Sequence, residues 1–246
     1  MRVDVITLFP EMFEVLGTSI PGRAQKSGAL TLHAHSLREH AINKYGQVDD
    51  APYGGEAGMV LRPEPLKGAL DKVFAELKPA RPKVVLMSAQ GAILTQKRLQ
   101  ELAECENLLI ICGHYKGVDQ RVCDVYVDEE IGIGDYVLSG GELPAMVLID
   151  GVARLLPGVL HDSESAETDS FQRPGRLGWP VYTRPPEFEG RSVPEVLLSG
   201  HHENIRAWRV LESLRLTRKN RPDLLEKEEL TEEESKLLRR AREEKE

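Results

Sequence analysis

Cysteine and long apolar runs are scarce in this chain, and both shortages exclude whole classes of protein. The three cysteines, Cys105, Cys112 and Cys123, show no C-x-x-C spacing. Their spacing speaks against a disulfide framework and makes a cysteine-held metal improbable, and we read all three as reduced core residues. The runs "VVLM" and "LLIIC" are far too short to cross a bilayer, and "MRVDVITLFP" has no cleavable signal pattern. These absences lead us to expect a soluble cytoplasmic protein without a membrane partner. No Gly-Lys-Ser/Thr ending and no G-x-G-x-x-G follows any expected strand, which removes the phosphate-binding loop and the dinucleotide fingerprint. His33, His35, His40, His114, His161, His201 and His202 lack metal-ligand spacing, so no metal site is assigned. Basic charge is not in excess either. At a net charge of −8, nothing on average advertises a nucleic-acid partner, although an average can hide a local basic face.

What is present suits one large domain, or one domain and a smaller one, over 246 residues. "RVDVITLF" reads as a strand, "PEMFEVL" as a short helix opened by Pro10, and "LTLHAHSL" as a second strand. A Gly-, Pro- and Asp-rich loop follows from Asn43 to Pro65, a length that usually marks function or disorder. Helix 65–77 then precedes strand "KVVLMS", helix 95–104 precedes "NLLIIC", and a short helix near 118–123 precedes "DVYVD". That alternation predicts a parallel sheet with crossover helices. Residues 142–156 are apolar nearly all round as a helix and so need cover on every side, partly from a second subunit. The polar stretch after Pro157 reads as a linker. Residues 193–246 read as helical, the last helix being capped by Thr231 with Glu234 three residues on. The expected organisation is thus a cofactor-binding domain at 1–160, a linker at 161–178 and a small all-helical domain at 179–246.

Three glycine-bearing loops follow three expected strands: "MSAQG", "CGHYKG" and "IGIGDYVLSGG". Ligands of open parallel sheets bind beyond the carboxyl ends of the strands, so these loops can build one pocket. Glycine lets backbone amides and carbonyls approach a ligand, which suits an adenine and a ribose without a phosphate cradle. The linker offers Asp162, Glu164, Glu167 and Asp169, and Glu187 lies further on. Arg154, near the end of the apolar helix, would set an anion-stabilising cation beside a carboxylate base. Segment 203–221 concentrates Arg206, Arg209, Arg215, Arg218, Lys219 and Arg221 against Glu203 and Glu212. It reads equally as a phosphate-contacting face or as a solvated helix with Trp208 in the core.

"RVDVITLFPEMF", "PYGGEAGMVLRPEP", "ICGHYKGVDQR", "IGIGDYVLSGGELPAMVLIDGVARLLPGVL", "SAETDSF" and "YTRPPEFEGRSVPEVLLSGHHENIRAWR" resemble, in order, the bacterial tRNA (guanine-37-N1)-methyltransferase family over roughly residues 1–210. The resemblance implies a SPOUT-type α/β domain whose parallel sheet ends in a deep trefoil knot, against the usual rule that chains do not knot. It implies a homodimer with its active site at the subunit interface. It also implies transfer of a methyl group from S-adenosylmethionine to N1 of guanosine 37 in tRNA. Cofactor contacts carry over to Met87, Ser88, Ala89 and Gly91, to Gly113 and Tyr115, to Ile133, Gly134, Asp135, Tyr136, Val137 and Leu138, and to Gly140, Gly141 and Pro144. Asp169 carries over as general base and Arg154 as the group stabilising charge on guanine O6. The helical domain at 179–246 is implied to bind tRNA, with Ser165, Arg206 and Arg209 as tRNA contacts.

Some positions depart from the family pattern. His114 and Lys116 stand where Arg and Glu are commoner, Glu56 where Gly is usual, and Ala89 where Pro is usual. Lys116 replaces an acidic group near the expected transfer site, leaving Mg2+ to act, if at all, through tRNA or another carboxylate. Two rival readings are a related methyltransferase acting on a ribose 2′-hydroxyl, and an RNA-binding module with a vestigial pocket.

Overall fold

The computed structural model describes residues 1–160, 169–173, 175–227 and 230–243. The chain divides into two compact units, Met1–His161 and Asp162–Glu246.

The first unit is built on a five-stranded sheet. Its strands are β1 (Arg2–Thr7), β2 (Thr31–Ser36), β5 (Lys83–Ile93), β6 (Asn107–Cys112) and β7 (Glu129–Gly132), in the order β2-β1-β6-β5-β7. Every pairing is parallel, as the alternation of apolar runs and helices predicts. Both faces are covered, and alternation along the strands divides the core. Leu108, Ile110 and Cys112 of β6 join Val85 and Met87 in one apolar cluster, with Ala145, Leu148, Ile149 and Val152 of helix α5 (Glu142–Ala153). Leu109 and Ile111 join Val84 and Leu86 in the other, with Leu66, Ala69, Leu70 and Val73 of helix α2 (Pro63–Leu77). Helices α1 (Ser19–Lys26) and α3 (Gln96–Ala103) belong to the same unit, and Pro10–Gly17 forms a 3₁₀ helix.

Three local expectations change. "DVYVD" is not a strand. Helix α4 (Gln120–Tyr126) runs through it, opened by Asp119, whose carboxylate accepts the Arg121 amide at 3.0 Å. The strand lies further on, in "EEIG". There a cap outweighed β-branched propensity, while the charge of Glu129, paired with Arg98, suits an edge strand. "MSAQG" does not end its strand either. Met87 and Ala92 of β5 both sit opposite Ile131, so the residues between them bulge out of the ladder before pairing resumes. The long loop contains a small antiparallel pair, β3 (Asp49–Asp50) with β4 (Val60–Leu61).

The second unit contains helices α6 (Glu195–Leu198), α7 (His202–Asn220), α8 (Pro222–Lys227) and α9 (Glu232–Glu243). It is not all-helical. Glu187–Phe188 and Arg191–Ser192 form a two-stranded hairpin. Its turn residues Glu189 and Gly190 both have positive φ, 49° and 71°, the backbone that a tight two-residue hairpin needs. Residues 169–178 belong to this unit, with Arg176 buried. No helix among the described residues is long and apolar enough to cross a membrane.

Candidate active site

A pocket of about 270 Å³ opens beyond the carboxyl ends of β5, β6 and β7. The β5 bulge supplies Met87, Ser88 and Ala89, the loop after β6 supplies Gly113 and Tyr115, and the loop after β7 supplies Ile133, Gly134, Tyr136, Val137, Leu138, Gly140 and Gly141. Pro144 of α5 completes the carried-over set. The three glycine-bearing loops therefore share one cavity. Gly91 and Asp135 do not line it. Gly91 is instead demanded by the sheet, because a Cβ there would stand 2.4 Å from the backbone of Glu130 and Ile131.

The other glycines divide by what crowds them. A Cβ on Gly141 would come within 2.8 Å of Cys112 Cα and 2.9 Å of Gly113 N, and the Gly141 amide donates to the Gly113 carbonyl at 2.8 Å. A Cβ on Gly140 would overlap His114 Nε2 at 2.1 Å. At both positions the missing side chain makes room for the protein's own pocket wall. Gly113 is less crowded, its nearest neighbour standing at 3.4 Å. Tyr115, with φ of 59°, turns the same loop through the left-handed region.

Beneath the wall lies a buried carboxylate. Glu142, in the first turn of α5, is 2% exposed. It accepts from the Thr7 hydroxyl at 2.7 Å and from His114 Nε2–H at 2.8 Å. Thr7 Oγ1 in turn accepts the Phe9 amide at 3.0 Å. This chain ties the end of β1, the loop after β6 and the start of α5 together, and an ionised carboxylate there is satisfied on both oxygens. Burial pushes the neighbouring Cys112 thiol well above its ordinary range, and the Glu142 charge pushes it the same way. A reactive thiolate is thereby disfavoured.

The departures at positions 56 and 116 form a pair. Lys116 Nζ donates to Glu56 at 2.6 Å, and this bond, with the ammonium charge, lowers the Glu56 carboxyl below its ordinary range. The Lys116 amide donates to the Met59 carbonyl and the Leu61 amide to the Gly117 carbonyl, each at 3.0 Å, so the long loop is tied to the pocket rim. His114 and Lys116, together with Gln90, Gln120 and Glu130, line the pocket without having been marked as ligand contacts. The signal was available for His114, which sits between the carried-over Gly113 and Tyr115, and for Lys116, which follows Tyr115.

Arg154 caps the C-terminus of α5 and is exposed rather than buried. It shares a helix face with Leu143, Val147 and Asp150, and Leu143 and Val147 are each 50% exposed. The helix is thus covered on one side only. Asp169 is exposed and belongs to the second unit. Asp162, Glu164, Ser165 and Glu167 lie outside the described residues. Arg206 pairs with Glu233 at 3.1 Å, and Arg209 lies over the ring of Trp179. Trp208 is not in a core but half-buried beside Tyr182. Among the described residues no group of three His, Cys, Asp or Glu could hold a metal ion.

A parallel sheet with its pocket beyond the strand ends places the chain among the α/β proteins that bind ligand at the sheet's carboxyl edge. The particular family follows from comparison with known proteins. Residues 1–227 match the family described as tRNA (Guanine-1)-methyltransferase TrmD. A protein of Brevibacillus brevis named tRNA (guanine-N(1)-)-methyltransferase is 53% identical over 246 residues, covering all of both chains. Proteins of the same name from Halalkalibacterium halodurans and Anoxybacillus flavithermus are 52% and 53% identical over 239 residues, covering 97% of this chain and 96% and 97% of theirs. The chain belongs to this family of transferases.

Proposed function

We propose that the protein transfers a methyl group from S-adenosylmethionine to N1 of guanosine 37 in tRNA, acting in the cytoplasm as a homodimer with shared active sites. The observation that carries this reading is the single pocket made by three loops at the ends of β5, β6 and β7. Its wall of backbone amides and carbonyls, small residues and apolar side chains fits an adenosyl group. S-adenosylmethionine supplies a methyl group activated on a sulfonium centre. The Thr7–Glu142–His114 chain holds the wall in place, and we read the wrapped loops as the family's trefoil knot.

Asp169 accepts the N1 proton, without which guanine N1 is a poor nucleophile. A carboxylate is intrinsically a weak base for that task. Arg154 offsets the mismatch by stabilising the negative charge that develops on O6. Its place on the exposed Leu143–Val147–Asp150 face of α5 suits an active site completed by a second subunit, which would cover the two apolar side chains.

The test is methyl transfer to unmodified tRNA carrying guanosine 37, followed by digestion to nucleosides. N1-methylguanosine is the expected product, and a 2′-O-methyl nucleoside would overturn the reading. Asp169→Ala is expected to lower the single-turnover rate by about 10²–10⁴-fold, and Arg154→Ala by about 10²–10³-fold. A near-parent rate for Asp169→Ala would remove it as the base.

A further inference from the structure

The rim of the pocket carries an ion pair that the proposed chemistry does not use. Lys116 lines the cavity, and its ammonium donates to Glu56 of the long loop at 2.6 Å. The Lys116 side chain is 46% exposed and that of Glu56 69%, so both ends of the pair are open to a ligand. The ammonium keeps further N–H donors and the carboxylate further lone pairs. An exposed pair of this kind adds little to stability.

The backbone around the pair is nonetheless closely shaped. Tyr115 and Gly117 flank Lys116 with φ of 59° and 130°, in the left-handed region on both sides. Across from them Gly58 has φ of 112°, and a Cβ there would stand 3.0 Å from Lys116 Cγ and 3.3 Å from Cε. The lysine stem thus lies against a residue without a side chain. The Asp119 amide donates to the Leu61 carbonyl at 3.0 Å, adding to the backbone bonds that join the loop to the rim. An ion pair held between two anchored segments has lost part of the freedom that binding would otherwise remove.

Charge singles the pair out. Among the described residues that line the cavity, Lys116 is the only lysine or arginine. His114 is bonded to Glu142. Glu130, the acidic residue lining the cavity, pairs with no basic side chain among the described residues and offers a single charge. We infer that the Lys116–Glu56 pair is the subsite for the amino-acid end of the cofactor. The inference rests on the proposed use of S-adenosylmethionine and adds which side chains hold the end remote from the adenine. That end is a zwitterion, an α-ammonium beside an α-carboxylate. Lys116 takes the carboxylate and Glu56 the ammonium, so opposite charges meet at both contacts. Glu56 also keeps the rim neutral, where an unpaired ammonium would repel the sulfonium cation.

The experiment is calorimetric titration of the full-length protein with S-adenosylhomocysteine and with 5′-methylthioadenosine. Both carry adenosine and a neutral thioether, and only the first carries the amino-acid end. The parent protein is expected to prefer S-adenosylhomocysteine. Lys116→Met keeps the stem and removes the charge. It is expected to weaken S-adenosylhomocysteine by about tenfold and to leave 5′-methylthioadenosine at its parental affinity. Glu56→Gln is expected to weaken the same ligand alone, by a smaller factor, because its contact is more exposed. Equal weakening of both nucleosides by Lys116→Met would mark a merely structural role and overturns the subsite. So does a parental affinity of that variant for S-adenosylhomocysteine. If the parent binds S-adenosylhomocysteine while both variants keep its preference, only the subsite fails. If the parent binds neither nucleoside, the proposed function fails with it.

Discussion

In the sheet-bearing unit the deepest side chains are apolar. Leu108, Leu109, Ile110 and Ile111 of β6 are fully buried between two hydrophobic clusters. In the helical unit, the buried apolar residues among those described are Val210 and Leu214, and they share the interior with Arg176, Ser213, Thr217 and Glu234. Arg176 meets Glu234 through two parallel bonds of 2.9 Å. The Leu177 amide donates to Thr217 Oγ1 at 3.0 Å, Thr217 donates to the Ser213 carbonyl at 2.7 Å, and Ser213 donates to the Leu177 carbonyl. An apolar core is non-directional and degrades gradually as methyl groups are removed. A satisfied polar interior depends on every partner, because an orphaned buried charge costs far more than its pairing contributes.

The sharpest way to break this contrast is Arg176→Ala. It strands the Glu234 carboxylate in the interior, at an expected cost of about 3–5 kcal/mol. Both tryptophans, Trp179 and Trp208, lie in the helical unit, so their fluorescence during urea unfolding reports that unit alone. The tryptophan transition should move to much lower urea, while amide exchange of β6 keeps its parental midpoint. Replacing both partners, Arg176→Met with Glu234→Leu, should recover most of the loss, since apolar isosteres leave no orphaned charge. An Arg176→Ala transition within experimental error of the parent would show that the pair does not hold the unit together.

The same contrast explains what the sequence allowed to be read. Runs such as "NLLIIC", apolar at every position, announce a strand buried on both faces, and β6 follows. Thr231 and Glu234 announce a capped helix through their spacing, and both reciprocal bonds form, at 2.9 and 3.2 Å. Arg176 gave no comparable signal. It lies in a Gly- and Pro-punctuated stretch without periodicity, and its partner is 58 positions away. Non-local polar pairs leave no local pattern. The pocket behaves likewise. Its glycine loops were visible, but the Glu142–Thr7 bond spans 135 positions, and the Lys116–Glu56 pair, 60 positions apart, looked like two separate departures. "DVYVD" misled because β-branched spacing spoke louder than the single capping residue, Asp119.

A milder probe of the polar interior is Thr231→Ala. The change removes the hydroxyl that accepts the Glu234 amide, at an expected cost of about 1 kcal/mol. It should not simply add to Arg176→Ala, because the Glu234 side chain also accepts the Thr231 amide and pairs with Arg176. Residues sharing a network couple. A double-mutant cycle read by tryptophan fluorescence should therefore show an interaction energy, and strict additivity would mean that the cap and the ion pair work separately.

The smallest expected effect is that of acid. Desolvation pushes the Glu234 carboxyl up, but the Arg176 bonds and the Thr231 donors outweigh it and hold the group below its ordinary range. In the sheet unit, desolvation likewise pushes Asp4 up, and bonds from His35 and Arg2 bring it below the ordinary range. For both groups the folded state binds its proton more weakly than the unfolded chain. Their stabilisation is therefore fully present above the ordinary carboxylate range and is lost as pH falls through the folded-state value. Both units weaken in acid, yet only the sheet retains two extensive apolar clusters that do not titrate. As pH falls through and below the ordinary carboxylate range, the tryptophan transition should therefore fail first, with β6 amides still protected. In Arg176→Met/Glu234→Leu the acid sensitivity of the tryptophan transition should shrink while that of the sheet stays parental. Simultaneous loss of both signals in the parent protein would show that the two interiors do not differ in the way their buried side chains imply.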